Sequence, residues 1–398
     1  MIFLFSKDAM SIEYLPCYGN TYWKTPNFDE MARKGTVFYN HHTAAASTSM
    51  AFSSMLTGEY CHDFKDRKRY VHVPVSEKRS IFDILQDKGY DCHILWSIDY
   101  MTGAWPFVRE FGDDNKTTIH VVEMHQPAGR HREKGEELVR SDELIEQTVR
   151  NIENELLNIE KKDKQFIWLH LPHVLKGRIS YGDDIDITDR LLGFVRERYG
   201  DENIYITADH GNMNFHKNIM AYGFHVYELT CRVPLITPRI DGLESVYDLT
   251  SHVDLVKILT EGKFVKRDYV YVDTQYYTQP DRKLAVIGKR FKYIYNKRGN
   301  IEELYDLQWD KEERYNLLEV DRYDDDKKML RNTRELYFYP YWDLVDGAYK
   351  ELKGYKDAIW RVGTKREETY CYLRDICAKT KRKISALKTL RKCKAKLS

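Results

Sequence analysis

The stretch PNFDEMARKGTVFY, residues 26–39, places a helical pattern directly before a strand pattern. Thr25 is suited to cap the helix and Pro26 to occupy its first turn. Phe28 and Met31 fall on one helical face, and Gly35 is typical of a helix end. Residues 36–39 are β-branched or aromatic, which favours a strand. A helix followed at once by a strand is the repeating unit of α/β folds.

Similar short apolar runs recur on both sides of this stretch, with helical patterns between them. They cover residues 2–5, 36–39, 92–96, 118–122, 166–171, 203–208, 233–236 and 270–272. The alternation predicts an α/β domain over residues 1–280, with a mostly parallel central sheet flanked by helices. From about residue 283 the pattern changes to hairpin strands, which predicts a small antiparallel sheet over 281–320. Residues 321–398 then read as a helical, basic C-terminal extension.

The composition excludes some classes of protein. The 398 residues carry 63 Lys and Arg against 62 Asp and Glu, so no overall charge favours nucleic acid. Seven cysteines without a C-x-x-C pair favour free thiols in a reducing compartment. The apolar start MIFLF is too short for a signal peptide, and no segment has the length of a membrane span. These features predict a cytoplasmic protein.

Polar side chains follow three of the predicted strands, where α/β proteins bind their ligands. Asp8 follows residues 2–5, His170 and His173 end the run FIWLHLPH, and the pair Asp209 and His210 follows NIYITA. Carboxylates with an imidazole predict a divalent cation, one or two per chain, with Zn or Mn favoured over Ca or Mg. On spacing alone, an Asp-His pair after a strand is also consistent with a cap or a turn.

Several blocks of the chain occur in the order typical of one family. They are TPNFDEMARKGTVFYNHHTAAASTSMAFSSMLTGEY, ITADHG, YGFHVYELTCRVPLI, SHVDLVKIL and FKYIYN followed by ELYDL. From residue 2 to about 318 the chain resembles the sulfatase-like branch of the alkaline phosphatase superfamily. The resemblance implies an alkaline-phosphatase-like fold with a metal ion held by Asp8, Thr48, Asp209 and His210.

The nucleophile position departs from the sulfatase pattern. Sulfatases place a cysteine, oxidised to formylglycine, nine residues before the Thr of a closing L-T-G, and here that position is Thr48. Formylglycine cannot form from threonine. Phe52 stands where the family has an arginine, and Ser97 where it has a sulfate-binding lysine. These changes resemble the phosphoethanolamine and phosphoglycerol transferases and the phosphonate and phosphodiester hydrolases of the superfamily.

The small residues of the stretch 43–58 fit this interpretation. A Thr hydroxyl is activated by a divalent cation, and small neighbours let a phosphoryl group approach the amides at a helix start. Ser47 and Ser49 are alternative nucleophiles. A buried helix rich in Ala and Ser would explain the same composition without any chemistry.

Four histidines are further candidates. The resemblance places His173 and His225 near substrate oxygens, where they would bind the oxygens or protonate the leaving group. Together with His170 and His216 they could also hold a second metal ion.

The C-terminal residues 379–398 carry nine Lys or Arg and no acid. Ile384, Leu387 and Leu390 recur every three positions, so a helix there would contact an anionic membrane at the inner face. A solvated tail is the alternative.

The sequence therefore predicts a metal-dependent hydrolase or transferase that acts on a phosphate or phosphonate ester or diester through a covalent Thr48 intermediate. Its substrate would be a phosphorylated or sulfated small molecule, glycan or lipid-linked compound. A sulfatase that works without formylglycine and a catalytically silent protein that binds a phosphorylated glycan are the alternatives. The sequence indicates neither the substrate nor the oligomeric state.

Overall fold

The computed structural model describes residues 1–60, 78–97, 117–122, 141–172, 181–214, 216–219, 222–274, 282–296, 299–318 and 351–358. The strands in these ranges are β1 (Ile2–Lys7), β2 (Thr36–Phe38), β3 (His41–His42), β4 (Asp91–Ser97), β5 (Thr117–Val122), β6 (Gln165–Leu171), β7 (Ile204–Ala208), β8 (Leu235–Thr237), β9 (Ser245–Val246), β10 (Thr250–Ser251), β11 (Val270–Asp273), β12 (Lys283–Ile287), β13 (Phe291–Asn296) and β14 (Ile301–Asp306). The helices are α1 (Pro26–Lys34), α2 (Thr48–Thr57), α3 (Ile81–Asp87), α4 (Ser141–Asn158), α5 (Tyr181–Tyr199), α6 (Glu228–Cys231) and α7 (Leu255–Glu261). Residues 351–358 are also helical.

Within the described ranges, eight strands form a central sheet in the order β5-β4-β6-β1-β7-β8-β2-β9. The strands β5, β4, β6, β1 and β7 run parallel to one another, and β8 is antiparallel to both β7 and β2. Every residue of β1 and β6 is buried. Burial on both faces explains why these strands read as continuous apolar runs in the sequence.

Helices cover both faces of this sheet. Apolar side chains of α1, α4 and α5 pack on one face, among them Met31, Ile152 and Leu192. Side chains of α2, α3 and α7 pack on the other, among them Phe52 and Phe82. The sheet therefore lies between two helical layers, and the mostly parallel α/β fold predicted from the sequence is confirmed.

A second sheet is antiparallel, with the strand order β11-β12-β13-β14. Tyr355, from the helical residues 351–358, packs on it. The run 270–272 was predicted as part of the α/β alternation, but as β11 it pairs with β12 in this second sheet. The sheet thus begins before residue 281, because a three-residue apolar run does not indicate which sheet it joins. The division into domains stays a prediction, and most of the extension 321–398 lies outside the described residues.

The second sheet is joined by backbone hydrogen bonds to the segment before α2. Asp273 donates its amide hydrogen to the carbonyl of Ala44 at 3.1 Å, and Ala46 donates to the carbonyl of Asp273 at 2.9 Å. These bonds fix the chain two residues before Thr48. The antiparallel sheet therefore supports the start of α2.

Among the described helices, none combines the length and the apolar character that crossing a membrane requires. The described cysteines Cys17, Cys92 and Cys231 are free thiols.

Candidate metal centre

The centre lies where the parallel strands β1 and β7 end. Lys7 and Ala208 are partners in the register of these two strands, and Asp8 and Asp209 are the next residues of each. Carboxyl ends of adjacent parallel strands meet at one edge of a sheet. The register therefore brings two carboxylates together that are distant in the sequence.

Asp8, Asp209 and His210 form a group whose ligand atoms all lie within 4.8 Å of one another. Nε2 of His210 is 3.6 Å from Oδ1 of Asp8 and 3.4 Å from Oδ2 of Asp209. All three side chains are buried. Two carboxylates and one imidazole are donors that divalent cations such as Zn²⁺ and Mn²⁺ accept.

Asp209 is held by only one of its two oxygens. Its Oδ1 accepts hydrogen bonds from the amides of Ala9 at 3.0 Å and His210 at 2.7 Å. Its Oδ2 is buried and has no hydrogen-bond partner among the described residues. Burial is the main cause that raises the pKa of Asp209 to about 6; His210 lowers this pKa, and the carboxylate of Asp8 raises it. A buried oxygen without a partner, beside a second carboxylate, fits a site for a cation.

His210 presents the nitrogen that a metal ion requires. Its Nδ1 donates a hydrogen bond to the carbonyl of Gly211 at 2.9 Å, because a carbonyl can only accept. In the neutral ring this leaves the lone pair on Nε2, which faces Asp8, Asp209 and the hydroxyl of Thr48. A backbone acceptor behind the ring is the usual arrangement of a metal-ligating histidine.

Thr48 is the first residue of α2 and is half-buried. Its Oγ1 lies 3.1 Å from Nε2 of His210 and donates to it when the ring is neutral. Ser47 precedes the helix, but its side chain makes no capping hydrogen bond, so the first amides of α2 are not capped by it. The structure thus brings Thr48 to the two carboxylates and the imidazole.

The segments around the ligands have little freedom. Ala9 has a left-handed φ of 56°, which costs a non-glycine residue energy and directs its amide to Asp209. A Cβ at Gly211 would meet the carbonyl oxygen of Leu229 at 1.9 Å. Glycine is therefore required after His210, because α6 packs directly against this turn.

Two residues near the centre were not predicted from the sequence. Lys7 is buried, forms a 2.8 Å ion pair with Asp184, and donates to the carbonyl oxygens of Asp8 and Pro172. The sequence feature that could have indicated Lys7 is its position at the end of an apolar run. The ring of Tyr222 lies 4.3 Å from that of His210. The carboxylate of Asp8, burial and Asp209 together raise the pKa of Tyr222 far above its usual value, so the phenol keeps its proton.

Phe52 occupies the position at which the sulfatase pattern has an arginine. It is buried, and its ring packs against Trp96, Trp168 and His170 at centroid distances of 5.3, 4.9 and 4.8 Å. The position thus belongs to an aromatic core under the sheet edge. Ser97 is the last residue of β4.

His170 lies in the same aromatic core. Its Nδ1 is 2.9 Å from the hydroxyl of Ser6, and burial is the main cause that lowers its pKa to about 3. The group of three ligands found among the described residues does not include His170, and its use as a ligand for a second ion stays a prediction.

The other predicted histidines in the described ranges are not among the three ligands of this group. His216 faces Glu312 at 3.6 Å. The ring of His225 stacks on Tyr227, and its Nδ1 is 3.3 Å from Nζ of Lys283. Burial, and then the charges of Lys283 and Lys217, together lower the pKa of His225 to about 4. His173 and residues 379–398 lie outside the described residues.

Comparisons with known proteins concern the family and the fold. Residues 1–174 match the sulfatase family model. The structure is similar to that of a 2-O GAG sulfatase, with a TM-score of 0.61, 17% identity, and coverage of 89% of this chain and 93% of that chain. It is also similar to a phosphonate monoester hydrolase of Agrobacterium radiobacter, with a TM-score of 0.55, 15% identity, and coverage of 86% and 95%.

A third similar structure was solved in complex with its substrate D-glucosamine-2-N,6-O-disulfate. Its TM-score is 0.58, with 17% identity and coverage of 86% of this chain and 98% of that chain. The comparison with curated proteins gave no match. The chain thus has the alkaline-phosphatase-like fold of the sulfatases, and its first 174 residues match their family model.

Proposed function

We propose that the chain is a metal-dependent enzyme of the sulfatase type that cleaves a phosphate or phosphonate ester or diester, with Thr48 as nucleophile. The observation that carries this proposal is the 3.1 Å contact between Oγ1 of Thr48 and Nε2 of His210, within the group of Asp8 and Asp209. A hydroxyl at the start of a helix, beside three ligands for a cation, is an arrangement for covalent catalysis.

Asp8, Asp209 and His210 would hold the cation, with Thr48 beside it. A bound divalent cation lowers the pKa of a hydroxyl and offsets the negative charge of the ester. His210 keeps its Nε2 lone pair towards the centre, because its Nδ1 proton is used by Gly211. The Ala9 amide orients Asp209, and the first amides of α2, which the Ser47 side chain does not cap, would donate to the oxygens of a bound ester.

In the first step Oγ1 of Thr48 forms a bond to phosphorus, the bond to the leaving oxygen breaks, and the hydroxyl proton passes through solvent to the leaving oxygen. In the second step the oxygen of water or of an acceptor alcohol bonds to phosphorus, the bond from phosphorus to Oγ1 breaks, and the proton of the incoming oxygen restores the hydroxyl of Thr48. Tyr222 remains protonated beside His210 and can donate a hydrogen bond to the ester throughout. His225 is neutral at pH 7, so we assign it, with the ammonium of Lys283, to binding of oxygen rather than to donation of a proton.

A phosphorus ester is favoured over a sulfate ester as substrate, because residues 52 and 97 lack the positive charges that sulfatases have at these positions. Phe52 supplies a buried ring where sulfatases have an arginine, and Ser97 replaces a lysine. A sulfate-ester hydrolase that works without formylglycine is the second candidate, because the match to the sulfatase family model and the similarity to a 2-O GAG sulfatase favour it. For either candidate we propose an ester linked to a sugar or a lipid.

Paired assays distinguish these candidates. The metal-loaded protein would be assayed with p-nitrophenyl sulfate, a phosphonate monoester and a phosphodiester, beside Thr48→Ala and the control Thr260→Ala. Thr260 is a threonine of α7 whose hydroxyl bonds the carbonyl of Val256. We expect turnover of a phosphorus ester, lost in Thr48→Ala only. A preference for p-nitrophenyl sulfate would establish the second candidate. If the metal-loaded protein cleaves none of the three esters, a protein that binds its ligand without catalysis would be favoured.

A further inference from the structure

A second cluster of metal-ligating side chains lies at the β5 end of the central sheet, apart from the centre described above. It consists of Asp91 and His93 on β4, His120 on β5 and Glu155 on α4. In the parallel register of β4 and β5, His93 is opposite Thr118 and Leu95 is opposite His120. The two histidines are therefore diagonal neighbours on one face of the sheet, whose side chains remain within contact distance.

The two imidazoles face each other directly. Nδ1 of His93 is 3.0 Å from Nε2 of His120. The outer nitrogen of each ring meets a carboxylate: Nδ1 of His120 lies 2.6 Å from Glu155, and Nε2 of His93 lies 3.2 Å from Asp91. Metal-ligating histidines commonly have such a carboxylate behind the ring, because it fixes the tautomer and makes the other nitrogen a better ligand.

The position of one proton decides what the pair can bind. His120 donates its Nδ1 proton to Glu155, which leaves a lone pair on Nε2. His93 can carry its proton on Nδ1, between the rings, with Gln165 bonded to Nε2 at 3.3 Å. When that proton moves to Nε2 and is donated to Asp91, two lone pairs face each other. Such a pair repels unless a cation lies between the nitrogens.

We infer that His93 Nδ1 and His120 Nε2 form a second site for a transition-metal ion, such as Zn²⁺ or Cu²⁺, which water molecules complete. Metal to nitrogen bonds of about 2.0–2.1 Å at a tetrahedral angle place the two nitrogens about 3.4 Å apart. The observed 3.0 Å therefore needs only a small opening of the rings. Imidazole ligands suit these ions, and Cu²⁺ binds most strongly among the divalent metals of its row.

Charge and access also favour a cation at this site. Among the described residues, Lys162 pairs with Asp91, with its Nζ at 2.7 Å, and no ion pair of Glu155 with a lysine or arginine is found. With both histidines neutral, these side chains have a net negative charge. The side chains of His120 and Glu155 are 14% and 35% exposed, so an ion from solvent can reach the pair.

The test uses full-length protein freed of metal and carrying Asp209→Ala, which removes a ligand from the first centre. Cu²⁺ is added to one equivalent and its coordination is followed by electron paramagnetic resonance. We expect a spectrum with two coordinated nitrogens. His93→Gln and His120→Gln should each lose one nitrogen and weaken binding by about ten-fold or more. Val121→Gln, at a residue of β5 that is 44% exposed, is the matched control and should leave the spectrum unchanged.

Zn²⁺ competition with a chromophoric chelator gives a second readout on the same proteins, and circular dichroism shows which variants are folded. The inference is overturned if the Asp209→Ala protein binds neither ion, or if the two-nitrogen spectrum and the affinity are unchanged in both glutamine variants. Neither result bears on Thr48, since activity of the first centre is not measured.

Discussion

His210 has two ring nitrogens in different surroundings, and this difference determines what the centre can bind. The carbonyl of Gly211 accepts the Nδ1 proton, so the ring offers Nε2 as a lone pair to its carboxylate neighbours. A glutamine at this position could turn either its amide oxygen or its amide nitrogen towards the centre. The hydrogen bond to Gly211 therefore determines which nitrogen of His210 faces the centre with a lone pair before any ion binds.

Removal of Asp209 should abolish cation binding at the first centre. Asp209→Ala deletes the buried Oδ2 and leaves Asp8 and His210 as a weak pair of ligands. We expect elemental analysis of dialysed protein to show about one equivalent less metal than in the native chain. Asp201→Asn is the control, because this carboxylate pairs at the surface with Lys34 and Arg196. Equal metal content in the Asp209→Ala and native proteins would contradict the site.

Thr48 should be indispensable for turnover. Thr48→Ala removes the hydroxyl, and we expect kcat to fall on the order of 10⁴-fold or more, as when other nucleophiles are deleted. Thr48→Ser should retain part of the activity because its hydroxyl remains, although its rotamer is less restricted. Mass spectrometry of protein quenched during turnover should place one phosphoryl adduct on residues 43–58. An adduct on Ser47 or Ser49 would assign the nucleophile differently.

The sequence predicted the side chains that follow strands but not those that reach the centre from loops. Asp8, Asp209 and His210 follow apolar runs, and the resemblance to the sulfatase pattern, counted back from Thr57, pointed to Thr48. The structure brings these four together. Tyr222 was not predicted because its contact with His210 depends on a turn that apolar periodicity does not describe.

At the scale of elements, the centre depends on how α6 packs against the turn after β7. The amide of Gly211 donates to the carbonyl of Thr230 at 3.0 Å, which joins the turn to α6. The same close approach leaves no space for a side chain at residue 211. The position of His210 is thus fixed by a helix of four residues.

Gly211→Ala should therefore lower both stability and metal affinity. The added methyl group would overlap the carbonyl of Leu229, and we expect a loss of about 1–3 kcal/mol in the free energy of unfolding. The measurement is urea denaturation with a metal titration. Gly354→Ala is the control, because that glycine is helical and an added Cβ would meet the phenol oxygen of Tyr269, the end of a side chain, at 3.1 Å. An unchanged Gly211→Ala protein would contradict the packing described for α6.

The longer elements were predictable because their burial pattern is local. β1, β6 and α1 have continuous or periodic apolar residues, and each was predicted within a few residues of its bounds. The two-residue strands β3, β9 and β10 were not predicted, since their pairing depends on distant chain segments. The sheet to which β11 belongs could not be predicted from residues 270–272 for the same reason.

At the scale of the whole molecule, several histidines are buried. Burial is the main cause that lowers the pKa of His252 to about 3, and burial, then His252 and His42, lower that of His41. In the unfolded chain both titrate near 6.5. Their neutral forms therefore stabilise the fold fully above pH 6.5, and this stability is lost as pH falls and the unfolded chain takes up protons.

We expect the free energy of unfolding to fall by about 2 kcal/mol for each such histidine between pH 7 and pH 5. The measurement is urea denaturation of metal-free protein at several pH values. In His252→Gln, the free energy of unfolding should decrease less between pH 7 and pH 5 than in the native chain, by about the contribution of one histidine. The same slope in both proteins would mean that His252 is protonated in the fold.

The central position of β1 has a consequence for synthesis of the protein. This strand pairs with β6 and β7, and 200 residues separate Ala9 from Asp209, whose carboxylate its amide binds. During translation β1 leaves the ribosome long before either partner, with all six of its residues suited to burial. The nascent chain must therefore keep an apolar segment in solution until residue 210 has emerged, so a higher level of chaperones should raise the yield of folded protein.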